Sequence, residues 1–408
     1  MLVVGGGAAG LVAAWRAASL GHRVTLLEAN GRLGTKLRIS GGGKCNLTHA
    51  GAPRELLAAF PPGQARFLRP AVHAFPAEAV VELFRREGVA THVRDNGRVF
   101  PLDRPGSAQA VVAALEGLVR RSGVDIREGA RVTALRGAAP RLEAVAALGQ
   151  DHGADTFILA TGGASYPETG TRGEVAGWLA ALGVPVRPWF PALAPLPLLR
   201  PRPAWEGVAL RNGTLQLLPE PGGRRLAAFG GDILFTRAGV SGPAVLELAQ
   251  ATEAARRAGG AWLAYRLGAE DEAALDAGLV TLQQQQPRLH AATWLERRLP
   301  ARVAADLLQE AGLPAATLLK DLTREARRTL ARQGAVLVLG APGPASLARG
   351  EVSAGGVALE AVDPRTLALR GWTNLRVCGE LLDVDGPVGG YNLQAAFSTG
   401  FLAGSLPA

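Results

Sequence analysis

Three glycines and one acidic residue near the start of the chain have the spacing of a dinucleotide-binding turn. An apolar segment runs into the pattern GxGxxG at Gly5, Gly7 and Gly10, and a second predicted strand ends at Glu28. In this pattern the first glycine makes a tight turn, the second admits a pyrophosphate, and the third packs a helix against the strand. A terminal acid accepts hydrogen bonds from a ribose 2′-hydroxyl and repels a 2′-phosphate. The spacing therefore predicts an ADP-containing dinucleotide.

The composition describes a large basic chain with few cysteines. Its 408 residues predict two or three domains. Two cysteines cannot form a disulfide framework and no secretory signal is apparent, so we expect a cytoplasmic protein. No apolar run reaches the roughly 18 residues of a membrane span. The formal net charge of +9 allows an anionic partner such as ribosomal RNA, while base-composition bias explains the excess of arginine over lysine.

Apolar patterns indicate a parallel sheet with crossover helices that is interrupted midway along the chain. We assign to this sheet the predicted strands within residues 96–101, 124–135 and 156–163. From about Pro185 the composition shifts to prolines and short alternating strands, which indicates a separate β domain. Residues 287–333 have helical periodicity, and the low-complexity run 283–286 indicates a surface connector.

The end of the chain returns to the nucleotide fold. Residues 375–380 are a predicted strand that enters a loop, and residues 391–404 are a predicted helix. Flavoenzymes of the glutathione-reductase type bring a late strand and loop back to the flavin, whereas NAD dehydrogenases keep their nucleotide half in one stretch. The late return therefore favours FAD over NAD as the resident dinucleotide.

Several segments together resemble the BaiN/YhiN-like family of FAD-dependent flavoproteins, which are broadly NAD(P)/FAD-dependent oxidoreductases. Two residues depart from the family pattern, since His49 replaces the usual asparagine and Thr35 a usual basic residue. These departures predict a sub-branch with a different substrate. The matching segments are residues 5–10, 37–48, 98–101, 160–170, 234–236, 241–243, 355–357 and 379–394.

The resemblance implies an α/β fold with a glutathione-reductase-type, Rossmann-like FAD-binding domain that is discontinuous in sequence. It also implies an inserted β-barrel domain and an inserted helical domain, in agreement with the composition shifts. The expected bounds are 1–185 and 351–408 for the FAD-binding domain, 186–284 and 334–350 for the β-barrel, and 285–333 for the helical insert.

We expect FAD to contact three glycine-rich segments. The loop at residues 40–46 lacks side chains that would obstruct an isoalloxazine ring. The helix that starts at Tyr391 would stabilise negative charge at N1 and O2 of reduced flavin by about 0.3–1 kcal/mol. Glu380 and Asp383 would accept bonds from ribityl hydroxyls, or else cap their loop. Val132 would offer its backbone to adenine, or else belong to the sheet core. The expected cofactor residues are Gly5, Gly7, Ala8, Ala9, Gly10, Glu28, Ala29, Lys36, Gly43, Val132, Thr161, Gly162, Gly379, Glu380, Asp383, Gly389, Gly390, Asn392 and Leu393.

The catalytic candidates are Cys45, His49 and Tyr391, which lie next to the flavin motifs. A partly exposed thiol at Cys45 could protonate a developing carbanion or enolate. A free cysteine is more often a small buried hydrophobic residue, and Cys378 in an apolar strand is expected to be core. No cluster of histidine, cysteine or carboxylate residues has the spacing of a metal site.

The resemblance implies reduction of an activated C=C bond by hydride from flavin N5. Activities attributed within the family range from reduction of a steroid-like enone to formation of dihydrouridine in ribosomal RNA. Arginines 324, 327, 328 and 332 would form a basic stripe for RNA, or else an ordinary solvated helix face. NAD(P)H would bind transiently as reductant. The alternatives are a non-catalytic FAD module that binds RNA or protein, and a small-molecule oxidase or dehydrogenase.

Overall fold

The computed structural model describes residues 1–102 and 106–405, which form two compact units. Unit 1 contains Met1–Ala192 and Leu347–Ala408, and unit 2 contains Leu193–Ser346. The N-terminal and C-terminal parts of the chain therefore share one unit, as the late return predicts. The finer division into three domains stays a prediction.

The described residues contain twenty-one strands and thirteen α-helices, together with short 3₁₀ turns and loops. The strands are β1 Leu2–Val4, β2 Thr25–Leu27, β3 Thr48–His49, β4 Thr91–Val93, β5 Arg98–Pro101, β6 Asp125–Arg127, β7 Val132–Ala138, β8 Arg141–Ala147, β9 Gln150–Gly153, β10 Phe157–Leu159, β11 Val186–Leu193, β12 Leu196–Pro197, β13 Ala209–Leu210, β14 Thr214–Leu218, β15 Ala227–Gly230, β16 Ile233–Thr236, β17 Gly239–Ser241, β18 Trp262–Arg266, β19 Val336–Gly340, β20 Val352–Val357 and β21 Leu375–Val377. The helices are α1 Ala8–Ser19, α2 Thr35–Ile39, α3 Pro53–Ala58, α4 Pro62–Ala74, α5 Ala77–Arg86, α6 Ser107–Arg121, α7 Glu174–Ala181, α8 Pro243–Arg257, α9 Glu272–Gln285, α10 Ala291–Glu296, α11 Ala301–Glu310, α12 Arg324–Ala335 and α13 Tyr391–Gly404.

A five-stranded parallel sheet, in the order β21-β10-β1-β2-β6, forms the centre of unit 1. Its inner strands are continuous apolar runs, and Val3, Leu26 and Ile158 have no exposed surface. Such runs are typical of parallel strands because helices cover both faces of the sheet. The last strand, β21, pairs with β10, which confirms that the C-terminal segment completes the nucleotide fold.

Two of the strands that we assigned to the parallel sheet lie elsewhere, so that prediction is wrong for them. β7 belongs to an antiparallel sheet in the order β7-β8-β9, and β5 pairs antiparallel with β3 and β4. Only two residues connect β7 to β8. A connection of that length can join antiparallel strands, whereas a parallel pair needs a crossover of a dozen residues or more.

The C-terminal helix α13 packs closely on α1 through two glycines. A Cβ atom at Gly400 or Gly404 would overlap the carbonyl oxygens of Ala9 and Ala13, respectively. Glycines one helical turn apart let two helix backbones approach closely, because they lie on the same helix face. This packing fixes the start of α13 relative to the start of α1.

Unit 2 contains two four-stranded antiparallel sheets and five helices among its described residues. The sheet orders are β12-β17-β16-β13 and β15-β14-β18-β19. The connector predicted at residues 283–286 is wrong for most of its length, because α9 continues to Gln285. Gln283 Nε2 donates to Leu319 O at 2.8 Å, so this residue packs against the 3₁₀ turn that precedes α12. No helix among residues 1–102 and 106–405 is long and apolar enough to cross a membrane.

Candidate active site

The turn between β1 and α1 gives its three fingerprint glycines different surroundings. Gly5 has φ +104°, and a Cβ there would lie 2.5 Å from Ala160 O. A Cβ at Gly10 would overlap the carbonyl oxygen of Gly5, so the helix packs directly on the turn. A Cβ at Gly7 would meet no protein atom within 4 Å. Close contacts within the protein therefore require glycine at Gly5 and Gly10, whereas the space beside Gly7 is open.

The first turn of α1 faces that open space with backbone donors. Gly7 is the N-cap residue and makes no side-chain cap, and the helix starts at Ala8 and Ala9. The first N–H groups of a helix have no intrahelical partner, and the helix dipole favours an anion at this end. The turn thus has the space and the donors that a pyrophosphate needs.

Glu28 is buried and holds its carboxylate beside the same turn. Its Oε2 accepts a hydrogen bond from Gly6 N at 2.7 Å. Its Oε1 accepts from the backbone N and the side-chain Nδ2 of Asn30, at 2.7 and 2.8 Å, while Ala29 lies between. Asn30 was not among the predicted site residues, although an amide two residues after the fingerprint acid was a visible signal. Three donors fix the carboxylate, and its remaining lone pairs suit ribose hydroxyls.

The segment that precedes β7 runs beside the end of β2. Gly129 N donates to Asn30 O and Ala130 N donates to Glu28 O, both at 2.8 Å. Val132, the first residue of β7, is half-buried and follows directly. The structure therefore places Val132 near the fingerprint acid, although its strand belongs to the antiparallel sheet. Its contact with adenine stays a prediction.

The loops after β10 and β21 meet the start of α1. Gly162 and Gly379 have φ +76° and +70°. A Cβ at Gly379 would lie 2.7 Å from Ala9 Cβ, and a Cβ at Gly5 would lie 3.1 Å from Thr161 Cα. The carboxyl ends of three parallel strands thus converge at one edge of the sheet, where open α/β folds bind their ligands.

Lys36 and Glu380 form an ion pair that connects four segments of unit 1. Lys36 Nζ lies 2.7 Å from Glu380 Oε2 and donates to Ser165 Oγ at 2.6 Å. Glu380 Oε1 accepts from Ser353 N at 2.8 Å, and Ser353 Oγ accepts from Ala164 N and Ser165 N. Sequence reasoning named Lys36 and Glu380 as separate cofactor contacts and missed both serines. Ser353 lies some 190 residues from Ala164 and Ser165, so no local pattern could have identified it.

Asp383 is also engaged by protein groups. Its carboxylate lies 2.8 Å from Arg187 Nε and accepts from Gly355 N at 3.1 Å. Burial raises the pKa of Asp383, and these two partners oppose that rise. Both C-terminal acids therefore connect their loop to β20. Their contact with ribityl hydroxyls stays a prediction.

The loop at residues 40–45 is built from left-handed backbone conformations. Gly41, Gly42 and Gly43 have φ of +56°, +65° and +85°. A Cβ at Gly42 or Gly43 would meet no protein atom within 4 Å. Backbone conformation alone thus favours glycine here. The bare surface is of the kind expected for a loop that lies against a flat ring.

Cys45 ends this loop inside the core of unit 1. It has no exposed surface, and burial raises the pKa of its thiol to about 12, although a bond to Ser40 opposes the rise. The expectation of a partly exposed thiol is wrong, because the chain turns inward at φ +56° and carries the side chain beneath the loop. Cys378 is equally buried, as predicted.

The other two catalytic candidates, His49 and Tyr391, are in direct contact. Their rings stack with centroids 4.8 Å apart and an interplanar angle of 17°. His49 Nδ1 lies 3.3 Å from Gly389 O, and Phe60 meets the Tyr391 ring edge-on at 6.0 Å. Both rings are half-buried. The structure therefore brings together two of the three predicted catalytic residues and separates them from the buried thiol.

The loop before α13 packs against β3. Gly390, the N-cap of α13, has φ +94°, and a Cβ there would lie 2.5 Å from the Thr48 carbonyl group. The amide of Asn392 accepts from Gly386 N and donates to Gly386 O, both at 2.8 Å, and Leu393 is half-buried. The Asn392 side chain therefore shapes the loop, and the backbone of the first helical turn remains as the donor for a cofactor.

The basic stripe predicted on α12 is only partly available. Arg327 Nε lies 2.7 Å from Asp276 Oδ1, and Arg332 Nε lies 3.9 Å from Glu272 Oε2. Both acids belong to α9, which packs beside α12. Arg324 and Arg328 are exposed. Two of the four arginines of the predicted stripe are therefore paired with carboxylates of α9.

Comparison with known proteins identifies the family. The family described as HI0933-like protein Rossmann domain matches residues 1–406. A 3-dehydro-bile acid delta(4,6)-reductase of Clostridium scindens is 32% identical over 98% of this chain and 97% of its own length. A ribosomal RNA dihydrouridine synthase of Escherichia coli is 28% identical over 98% of this chain and 95% of its own length.

Solved structures show the same fold at low sequence identity. The 3-ketosteroid delta1-dehydrogenase of Sterolibacterium denitrificans has a TM-score of 0.56 and 14% identity, with 99% of this chain and 98% of that chain covered. The 3-ketosteroid-delta4-(5alpha)-dehydrogenase of Rhodococcus jostii has a TM-score of 0.56 and 16% identity, with 99% and 95% covered. The chain belongs to the HI0933-like Rossmann-domain family, as its resemblance to the BaiN/YhiN-like flavoproteins predicted, and is an FAD-dependent oxidoreductase.

Proposed function

We propose that the protein reduces a C=C bond conjugated to a carbonyl group, and that its substrate is uracil in ribosomal RNA. The observation that carries this proposal is the end-to-end similarity to two enzymes whose names describe such reductions. Dihydrouridine is uridine with its C5=C6 bond saturated. The net charge of +9 favours a polyanionic substrate over a steroid-like one.

The residues present fit an FAD molecule. The open side of Gly7 and the donors of Ala8 and Ala9 suit its pyrophosphate, and Glu28 suits its adenosine ribose. The bare face of Gly42 and Gly43 suits the flavin ring. Bound FAD supplies a hydride equivalent at flavin N5. NAD(P)H is the reductant that we propose for the cofactor.

We assign proton delivery to the Tyr391 hydroxyl and a positioning role to His49. Saturation of uracil adds a hydride at C6 and a proton at C5, so the enzyme needs a donor that the substrate can reach. Tyr391 is half-buried, and its ring is fixed between the His49 face and the Phe60 edge. Cys45, the sequence-based candidate, lies wholly beneath the loop. Its thiol is protonated at neutral pH but enclosed by protein.

Two variants separate these candidates. Tyr391→Phe keeps the ring stack, and we expect turnover to fall by about 10²-fold or more while nicotinamide still bleaches the flavin. Cys45→Ala is expected to keep most turnover. Stopped-flow absorbance separates the two half-reactions. If substrate reoxidised the flavin normally in Tyr391→Phe but not in Cys45→Ala, proton delivery would be assigned to Cys45 in place of Tyr391.

Nucleoside mass spectrometry tests the substrate. The FAD-loaded enzyme is incubated with NADH or NADPH and unmodified ribosomal RNA transcripts, and in parallel with a 3-keto-4-ene steroid. We expect dihydrouridine at a defined position in the RNA and no turnover of the steroid. Reduction of the steroid with unmodified RNA would replace the RNA proposal with a small-molecule one, for which the bile acid reductase is the precedent.

A further inference from the structure

A polar groove lies on one face of a sheet in unit 2. It has a volume of about 480 Å³, and its lining includes Thr214, Gln216, Arg225, Arg266 and Gly268. We call it the β14 groove, because Thr214 and Gln216 project from alternate positions of β14. The residues between and beyond them, such as Leu215 and Leu217, are buried on the opposite face.

The two arginines lie towards opposite ends of the β14 groove. Arg266 pairs with Thr214 at the start of β14, and its guanidinium donates to the carbonyl groups of Gly268 and Ala269. Arg225 comes just before Leu226, whose N–H donates to Leu217 O near the other end of the strand. Three residues of strand separate these positions, or roughly 10 Å.

Among residues 1–102 and 106–405, neither guanidinium forms an ion pair with a carboxylate. Within the same residues the Arg266 guanidinium donates hydrogen bonds only to carbonyl oxygens, and Arg225 is exposed and makes no hydrogen bond. Asp232, an acid beside the lining residue Asn212, accepts a hydrogen bond from Asn212 N at 3.1 Å. The groove therefore presents two separated positive charges together with the hydroxyl of Thr214 and the amide of Gln216.

We propose that the β14 groove binds the sugar-phosphate backbone of a single RNA strand. A single phosphate ion would engage one end, whereas successive phosphates of an extended strand reach both guanidinium groups. Hydroxyl and amide groups between them suit ribose 2′-hydroxyls. Half-buried Trp262 projects from the same sheet face by strand alternation and pairs with Leu218 near the Arg225 end, where a base could stack. This inference rests on the proposed RNA substrate.

The salt dependence of RNA binding tests the β14 groove. A fluorescein-labelled oligouridylate is titrated with FAD-loaded protein by anisotropy at several potassium chloride concentrations. We expect Arg225→Ala to weaken binding about tenfold at low salt. The slope of log K against log salt should fall by about 0.7 for each phosphate that the variant no longer neutralises. Arg225→Ala/Arg266→Gln should lower the slope about twice as far as Arg225→Ala. Because Arg225 is exposed, the single variant is expected to fold normally.

The comparison variant removes the two exposed arginines of α12, the alternative RNA surface of the same unit, as Arg324→Ala/Arg328→Ala. This variant should keep the wild-type slope of log K against log salt. Inorganic phosphate, added at equal ionic strength, should compete poorly with the oligouridylate for the wild-type protein. An unchanged slope in the groove variants, or a loss confined to the α12 variant, would overturn the proposal. Dihydrouridine formation by the wild type is measured separately. Its absence would remove the substrate assignment, while a lowered slope would still support the groove as an RNA site.

Discussion

The two glycine-rich segments of unit 1 differ in what makes glycine necessary. In the turn at residues 5–10, Gly5 and Gly10 are required by the protein, since a side chain would strike Ala160 or the turn itself. In the loop at residues 40–43, backbone conformation favours glycine while the space around Gly42 and Gly43 is empty. Gly7 combines ordinary backbone with open space. The contrast distinguishes glycines that build the fold from glycines that leave room for a ligand.

The largest effect is expected at a fold-building glycine. Gly10→Ala places a methyl group against the Gly5 carbonyl at the junction of helix and strand. Alanine normally favours a helix interior over glycine by about 1 kcal/mol, but the overlap reverses that preference. We expect a loss on the order of 3 kcal/mol in the free energy of unfolding, measured by urea denaturation of the FAD-free protein. Unchanged stability would contradict the close packing of α1 on the turn at Gly10.

The next effect concerns the acid that borders the turn. Glu28→Ala removes the acceptor of three protein donors and, in our account, of the ribose hydroxyls. We expect FAD affinity to fall about tenfold or more, since hydrogen bonds to charged groups are the stronger ones. Flavin absorbance after gel filtration measures this loss. Full flavin content in the purified variant would remove Glu28 from the cofactor site.

A smaller effect is expected in the second segment. Gly42→Ala meets no neighbouring atom but forces a non-glycine residue to φ +65°. We expect a loss of about 1 kcal/mol in the stability of the FAD-free protein. If the loop lies against the flavin, substrate should also reoxidise the reduced flavin of the variant more slowly in stopped-flow measurements. Equal reoxidation rates in the variant and the wild type would mean that this loop does not contact the flavin.

The smallest effect is a pH dependence from the thiol beneath that loop. The pKa of Cys45 is about 12 in the folded protein, above its ordinary value of 9.0. A raised pKa stabilises the folded state fully below pH 9, and that contribution is lost as the pH rises towards 12. Between about pH 8 and pH 9 we expect wild-type stability to fall by about 0.4 kcal/mol more than that of Cys45→Ala. If the stability difference between the wild type and Cys45→Ala, measured by urea unfolding, were the same at both pH values, the burial of this thiol would be contradicted.

Local patterns predicted the parts of the site that depend on neighbouring residues. The fingerprint spacing placed Gly5, Gly10 and Glu28 correctly around one turn, and the start of α13 was predicted at Tyr391. Periodicity did not reveal that β7 leaves the parallel sheet, because it reports which face of a strand is buried and not which strand lies beside it.

Long-range contacts explain the remaining errors. The Ser353 side chain binds backbone N–H groups about 190 residues away, which no local pattern contains. The sequence pattern predicted Arg327 as part of a basic stripe for RNA, whereas in the structure Asp276 of α9 forms an ion pair with it. Cys45 looked exposed because its neighbours are glycines, yet the chain turns its side chain into the core. In each case tertiary packing decided the environment of the residue, and its neighbours in sequence carry no signal of that packing.

FAD titration of Gly7→Ala tests the central claim most directly. The added methyl group meets no protein atom, so the urea unfolding curve of the FAD-free protein should match that of the wild type. Flavin fluorescence quenching should show FAD affinity reduced about tenfold or more, because the methyl group occupies the pyrophosphate space. Equal stability with lowered affinity is the predicted result. Wild-type affinity for FAD in this variant would contradict a cofactor seated at the β1–α1 turn.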